Sequence, residues 1–147
     1  YTCLVTRGRD AETRARWTEL GALLIVLRTH HGTHVRRCVQ FVVDTSGSMR
    51  VKKLDQAKAA LDFCLDSLNP EDRFEIIRYS TEAEGLFEEI VPADEKHIDE
   101  ARDFVKDMRA GGGTAIEEAL LMAVEHAKNR RMAGAARPFE VIFMTDG

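Results

Sequence analysis

The chain has 147 residues, 44% of them hydrophobic and 31% charged, with a formal net charge of -4, which is the profile of one soluble globular domain with its own core. Its longest apolar stretch, Leu20 to Leu27, falls far short of the ~20 residues that cross a bilayer, so no transmembrane segment is expected within it. Three cysteines, Cys3, Cys38 and Cys64, form no disulfide framework and no CxxC metal pair.

The charge is uneven. Residues 1–39 carry seven Arg, no Lys and three acids (+4), while residues 40–147 carry fourteen bases and twenty-two acids (-8), which together return -4. An Arg-rich arm is a composition that contacts anions or nucleic acid. Trp17 stands alone in it, however, without the aromatic interleaving that single strands stack on, so no nucleic-acid partner is expected. Residues 1–38 are expected to be either the end of a preceding domain, with "LLIVL" as its last strand, or an out-of-frame segment. The chain stops at "FMTDG", on what reads as a strand end, and is expected to be a fragment.

From Val39 the pattern is orderly. Val39–Val43 is an apolar run broken only by Gln40, as expected of a strand buried on both faces. Leu54, Ala57, Leu61, Cys64, Leu65 and Leu68 recur every three or four residues and predict an amphipathic helix from about Lys52 to Leu68. Cys64 on that face reads as a small buried hydrophobe. Asn69-Pro70 stops the helix, and Asp72 is expected to cap or turn the chain before the next strand. Phe74 to Ser80 predicts a second strand and "LFEEIV", Leu86 to Val91, a short third one after the tight connection "TEAEG".

Ile98, Ala101, Val105 and Met108 mark a second helix. The loop "AGGGT" separates it from a third, on Ile116, Ala119, Leu120, Ala123 and Ala127. "NRRMAGAARP" reads as loop, and "FEVIFMT", Phe139 to Thr145, as a fourth strand that ends on an acid. His97 and His126 read as solvated surface residues, and "FEEIVPADE" as a solvated face. Strands alternating with helices imply parallel β-α-β units: an α/β fold with an open, mostly parallel sheet and helices on both faces. Ligands of such sheets bind beyond the carboxyl ends of the strands. Asp44, Thr114 and Asp146 all fall just past a strand or at a loop-to-helix junction.

At the end of the first strand stands "DTSGSM". Alternate side chains of an extended segment point the same way, so Asp44, Ser46 and Ser48 are expected to face one point, with Gly47 allowing the bend. With Thr114 and Asp146 this makes two carboxylates and three hydroxyls, and no His or Cys. An all-oxygen set suits Mg²⁺, or Ca²⁺ or Mn²⁺, and argues against zinc or copper. Hydroxyls bound directly, with the acids acting through water, leave the first shell neutral and the ion able to take an external carboxylate. Thr114 also reads as a helix N-cap, with Glu117 completing a capping box, and the two roles are compatible. Glu117 and Glu118 read as first-turn acids favoured by the helix dipole.

"DTSGSM", the isolated "GGT" of Gly112–Thr114 and the terminal "TDG" of Thr145–Gly147 resemble, in order and placement, the metal-ion-dependent adhesion site of von Willebrand factor type A domains. The resemblance covers about Val39 to Gly147. It implies a divalent ion among Asp44, Ser46, Ser48, Thr114 and Asp146, and a protein ligand that supplies an Asp or Glu carboxylate to it. The stretch "KLDQAKAALDFCLDSLNPEDRFEIIRYSTEAE" further resembles the branch found in inter-alpha-trypsin inhibitor heavy chains, in which a VIT domain usually precedes this one. That implies a secreted or cell-surface setting. The family continues past its "TDG" with further strands and helices.

Catalysis is not expected. An aspartyl-phosphate phosphotransferase wants a second acid two residues after its nucleophile, where this chain has Ser46. Neither GxxxxGK[ST] nor GxGxxG is present, and no histidine falls at a strand end to serve a nucleophilic serine. The sequence thus points to metal-dependent protein binding. A metal-binding scaffold within a larger chain is the alternative, with a Mg²⁺-dependent phosphoryl-transfer enzyme behind it.

Overall fold

The computed structural model describes residues 2–4, 23–28, 36–50, 52–132 and 138–146. Its strands are β1 (Thr2–Leu4), β2 (Leu23–Arg28), β3 (Cys38–Asp44), β4 (Arg73–Tyr79), β5 (Ala83–Gly85), β6 (Val91–Pro92) and β7 (Phe139–Thr145). The helices are α1 (Lys53–Asp66), α2 (Glu95–Asp107) and α3 (Ile116–Met132). The strands make one sheet in the order β1-β2-β7-β3-β4-β5, with β6 also pairing β4.

β3 lies between two parallel neighbours, β7 and β4, and all seven of its residues are buried. This explains its unbroken apolar character, since a strand flanked on both edges and covered on both faces has no solvent side to leave polar. Register fixes the functional edge: Asp44 lies opposite Tyr79 of β4, and Val43 opposite Met144 of β7. The carboxyl ends of β3, β4 and β7 are therefore level.

One face carries α1 and α2. Leu54, Ala57, Leu61 and Leu65 of α1 and Ala101 and Val105 of α2 join Val39, Phe41, Val43, Phe74 and Ile76 in the larger core. Burying a side chain such as Leu61 contributes about 1.5–3 kcal/mol. The other face carries α3, where Ala119 and Ala123 meet Val42, Ile77 and Tyr79. The expected architecture, a mostly parallel sheet with helices on both faces, is thus the one observed: β1, β3, β4 and β7 run in one direction and β2, β5 and β6 in the other, and both pairings of the central β3 are parallel. The "LLIVL" run lies in this same sheet, where β2 pairs antiparallel with β7. Apart from β1 and β2, the arm through Val35 lies outside the described residues.

Several local expectations need correction. Leu86 to Val91 is not the third strand. β5 forms earlier, inside "TEAEG", because Tyr79 pairs with Ala83 in a tight hairpin, and Leu86 and Phe87 then pack against the larger core instead of alternating. α3 buries its alanines but leaves Ile116 and Leu120 43% and 42% exposed, so its apolar stripe is narrower than its sequence suggests. The same helix continues through Asn129 to Met132, where loop was expected, and residues 133–137 lie outside the described set.

The histidines are also not solvated surface residues. His97 is half-buried, hydrogen-bonded to Asp94 through Nδ1 at 2.7 Å and edge-on to Phe87. His126 faces a buried polar group under α3. Its Nδ1 lies 3.8 Å from Glu75 Oε2 and 3.5 Å from Gln40 Nε2, while Glu75 Oε2 and Gln40 Oε1 have no hydrogen-bond partner. Burial pushes the Glu75 carboxyl up to about 8, against the backbone N–H groups that stabilise its charge. Burial pushes the His126 imidazole down, so both groups favour their neutral forms. Asp72 does clamp the chain before β4, accepting Arg37 N–H at 2.7 Å, the Arg37 guanidinium at 2.7 and 3.2 Å, and Asn69 N–H at 3.0 Å.

Candidate metal centre

Asp44 ends β3, 2% exposed. One carboxylate oxygen accepts the Ser46 backbone N–H at 2.8 Å, and the other accepts the Thr145 hydroxyl from β7 at 2.9 Å. The first bond is an Asx-type turn that folds the chain back over the strand end. The second ties together two strand ends that are 101 residues apart in sequence. Thr45, also buried, is fixed from the other side. Its N–H and its hydroxyl both donate to the Tyr79 carbonyl, at 2.8 and 3.0 Å. Burial pushes the phenol of Tyr79 up to about 12, with the neighbouring Asp44 carboxylate acting in the same direction.

After Ser46 the backbone closes into a single 3₁₀ turn, Gly47–Met49, pinned by Met49 in the core. The convergence of Ser46 and Ser48 therefore comes from this turn and not from an extended segment. Gly47 does not use a positive φ to make it. The two hydroxyl oxygens stand 2.9 Å apart, and the Ser48 hydroxyl donates to Asp146 Oδ1 at 3.1 Å. Lys53, in the first turn of α1, donates to Asp146 Oδ2 at 2.5 Å. The Asp146 carboxyl is held below its usual range by this ammonium first, with burial opposing it and the Ser48 hydroxyl assisting.

Asp44, Ser46, Ser48 and Asp146 are thus brought together at the carboxyl edge of β3 and β7. The glycine loop arrives beside them through its backbone. Gly111 N–H donates to the Thr45 carbonyl at 2.9 Å, and Gly47 N–H donates to the Gly112 carbonyl at 3.3 Å. Thr114 itself is exposed, and among the described residues no hydrogen bond joins its hydroxyl to the other four. It is not the N-cap of α3, because that helix begins at Ile116 and Ala115 precedes it. Glu118 has a partner unforeseen in the sequence, accepting Ala83 N–H at 3.2 Å.

Among the described residues no three His, Cys, Asp or Glu side chains cluster together. A cation here would have to be held by two carboxylates and hydroxyls, and such a donor set takes hard ions. The residues fit one. Their oxygens form a continuous chain, Ser46 to Ser48 to Asp146, and that chain already attracts the Lys53 ammonium. Cys64 adds no ligand, since burial pushes its thiol up to about 11.

The model of the von Willebrand factor type A domain matches residues 39–147. The chain belongs to this family. Among curated proteins, the chain is 38% identical over 120 residues to inter-alpha-trypsin inhibitor heavy chain H4 of Homo sapiens, covering 78% of the chain and 13% of that protein. Heavy chain H3 of Homo sapiens is 35% identical over 116 residues, covering 77% of the chain and 13% of that protein. The chain therefore spans about an eighth of the length of these relatives. A solved von Willebrand factor type A structure from Catenulispora acidiphila superposes with a TM-score of 0.57 at 24% identity, covering 69% of this chain and 24% of the other. The corresponding domain of a type V pili tip protein from Porphyromonas gingivalis gives 0.55 at 20% identity, covering 72% of this chain and 36% of the other. These likenesses establish the fold of the domain. Among its described residues no helix is long and apolar enough to cross a membrane.

Sequence reading missed Thr145 and Lys53. Thr145 carries a weak signal, since it immediately precedes the acid of "TDG". Lys53 carries none, because its contact with Asp146 spans 93 residues.

Proposed function

We propose that this domain binds a divalent cation, Mg²⁺ or alternatively Ca²⁺ or Mn²⁺, at Asp44, Ser46, Ser48, Thr114 and Asp146, and uses it to hold a protein partner by an Asp or Glu carboxylate. The observation that carries the reading is the linked run of oxygens at the sheet's carboxyl edge, Ser46 to Ser48 at 2.9 Å and Ser48 to Asp146 at 3.1 Å. The bound ion would supply an electrophilic point for the partner's carboxylate. The protein's own residues do the rest. Ser46 and Ser48 present neutral oxygens, and Asp44 spends its carboxylate on Ser46 N–H and Thr145, which fixes the turn. Lys53 offsets part of the charge of Asp146. The two carboxylates and the Lys53 ammonium together leave only part of the ion's charge neutralised, so its demand for an external carboxylate persists. Membership of the family and the relatedness to inhibitor heavy chains support a protein-binding role over catalysis, in secreted or cell-surface proteins.

Isothermal titration with Mg²⁺, in the wild type and in a Ser46→Ala, Ser48→Ala double variant, tests the site. The double variant should lose detectable binding while its melting temperature in EDTA stays that of the wild type. Equal Mg²⁺ affinity in the two proteins would refute the metal reading. Partner capture that persists in EDTA would point instead to a metal-independent scaffold, and turnover of an acyl phosphate to an enzyme.

A further inference from the structure

Thr114 presents a difficulty for any metal reading. It is exposed, among the described residues no hydrogen bond ties its side chain to its expected neighbours, and it follows three glycines. Such a loop loses much conformational freedom on ordering. Something must hold it. The turn between β4 and β5 makes the contacts that do so. Thr81 Oγ1 accepts Gly113 N–H at 3.1 Å. The carbonyl of Ser80 accepts Ala115 N–H at 2.6 Å. These two bonds clasp the backbone on either side of Thr114.

Packing reports the same closeness. Gly112 adopts a φ of +75°, and a Cβ placed there would come within 2.4 Å of Thr81 Oγ1 and 3.5 Å of Ser80 Oγ. The glycine is therefore required twice, by its backbone angle and by the approach of Thr81. The turn is itself braced. Ser80 N–H donates to the Glu82 carbonyl at 3.0 Å, and Ala83 N–H donates to Glu118 Oε2 at 3.2 Å. One step away, Tyr79 anchors Thr45. The end of β4 thus touches both loops of the candidate centre and contributes no ligand to it.

We propose that Thr81 is a positioning residue for the metal centre: its hydroxyl fixes the Gly112–Ala115 loop and thereby places Thr114 for the ion. The inference rests on the metal reading above. Replacing Thr81 by Val keeps the volume and removes the acceptor. Replacing it by Ser keeps the acceptor and removes only a methyl group. Losing one hydrogen bond of about 1 kcal/mol corresponds to about a fivefold change in an equilibrium constant.

The experiment is Mg²⁺ titration calorimetry on the intact protein and its Thr81→Val, Thr81→Ser and Thr114→Ala variants, together with the Thr81→Val, Thr114→Ala pair. Melting temperatures in EDTA are measured beside each titration. Thr81→Val should weaken Mg²⁺ binding about fivefold, Thr81→Ser should restore it to within about twofold, and Thr81→Val should cost nothing further once Thr114 is Ala. Wild-type affinity in Thr81→Val, or equal losses in the presence and absence of the Thr114 side chain, would overturn the positioning role while leaving the metal site standing. If the wild type and the Ser46→Ala, Ser48→Ala variant bind Mg²⁺ alike, the metal reading fails and this inference falls with it.

Discussion

Glu75 is the least comfortable residue in the domain and gives the sharpest prediction. It lies in β4 with no exposed surface, opposite Gln40 of β3 and beneath His126 of α3. Its ordinary value of 4.5 is raised to about 8 by burial. In the unfolded chain it releases its proton near pH 4.5, whereas in the fold it keeps the proton until about 8. Below pH 4.5 both states are protonated and the residue has no pH-dependent effect. As the pH rises from 4.5 to 8, the unfolded state ionises first and gains the advantage, so stability falls, then levels off. A shift of this size corresponds to at most ~5 kcal/mol at 1.36 kcal/mol per unit, and relaxation of the site reduces it. Glu75→Gln abolishes the slope. The amide oxygen still accepts Phe87 N–H, as Glu75 Oε1 does at 3.1 Å, and its NH₂ is offered to the unpartnered Gln40 Oε1. Urea unfolding of both proteins at pH 5, 7 and 9 measures the difference. The advantage of the variant should grow by ~2–4 kcal/mol between pH 5 and pH 9. A difference flat to within ~0.5 kcal/mol would refute the reasoning.

Two other substitutions separate site electrostatics from fold stability. Lys53→Met removes a cation bonded to a candidate ligand, Asp146 Oδ2, and should tighten Mg²⁺ about fivefold in a titration at low salt, where repulsion between like charges is least screened; weaker binding would show that Lys53 chiefly orients Asp146. Asp72→Ala should destabilise the domain by ~2–4 kcal/mol in urea unfolding, since it removes the bonds that the buried Asp72 carboxylate accepts from Arg37 N–H, the Arg37 guanidinium and Asn69 N–H. Burial pushes the Asp72 carboxyl up, but the bonds from Arg37 and Asn69 outweigh it and leave the group below 3.8. Its contribution is therefore complete above pH 3.8, and is lost as the pH falls through the lower folded value.

The elements most legible in the sequence were those whose environment is uniform along their length. β7 has the bounds its apolar run predicts, Phe139–Thr145, and α1 stays within a residue or two of its stripe, because a buried central strand and a half-buried helix each impose one rule throughout. Errors arose where the environment changes within a few residues. Leu86 and Phe87 look like strand, yet β5 pairs only with Ile77–Tyr79, Leu86 N–H adds one bond to the Ile76 carbonyl at 2.8 Å, and the chain then leaves β4 until β6 pairs with Arg73 and Phe74. Ile116 and Leu120 look like a buried stripe, yet Ala119 and Ala123 bring α3 close to the sheet and leave those larger neighbours outside. His126 was misread for a related reason. Nothing local to a helix tells whether its polar residue faces water or a buried Glu75 and Gln40 on strands 51 and 86 positions earlier.

The candidate site divides along the same line. Asp44, Ser46 and Ser48 are neighbours in sequence, and their convergence is the work of one short turn, so a motif suffices to find them. Asp146 is found because strand ends align when strands pair in parallel, and the register of β3 with β7 levels Val43 with Met144. What a motif cannot report is how each candidate ligand is held. Thr145 steadies Asp44, Lys53 engages Asp146, and Thr81 grips the loop of Thr114, across 101, 93 and 32 residues respectively. These contacts run between secondary-structure elements and leave no spacing to recognise. A chain that kept all five motif residues and lost Thr81 would still present the same signature, with its exposed Thr114 loop held by one clasp fewer. On the reading proposed above, the motif identifies the candidate oxygens, and the packing of the β4–β5 turn against the glycine loop, Thr81 Oγ1 accepting Gly113 N–H, governs how the Thr114 loop is held.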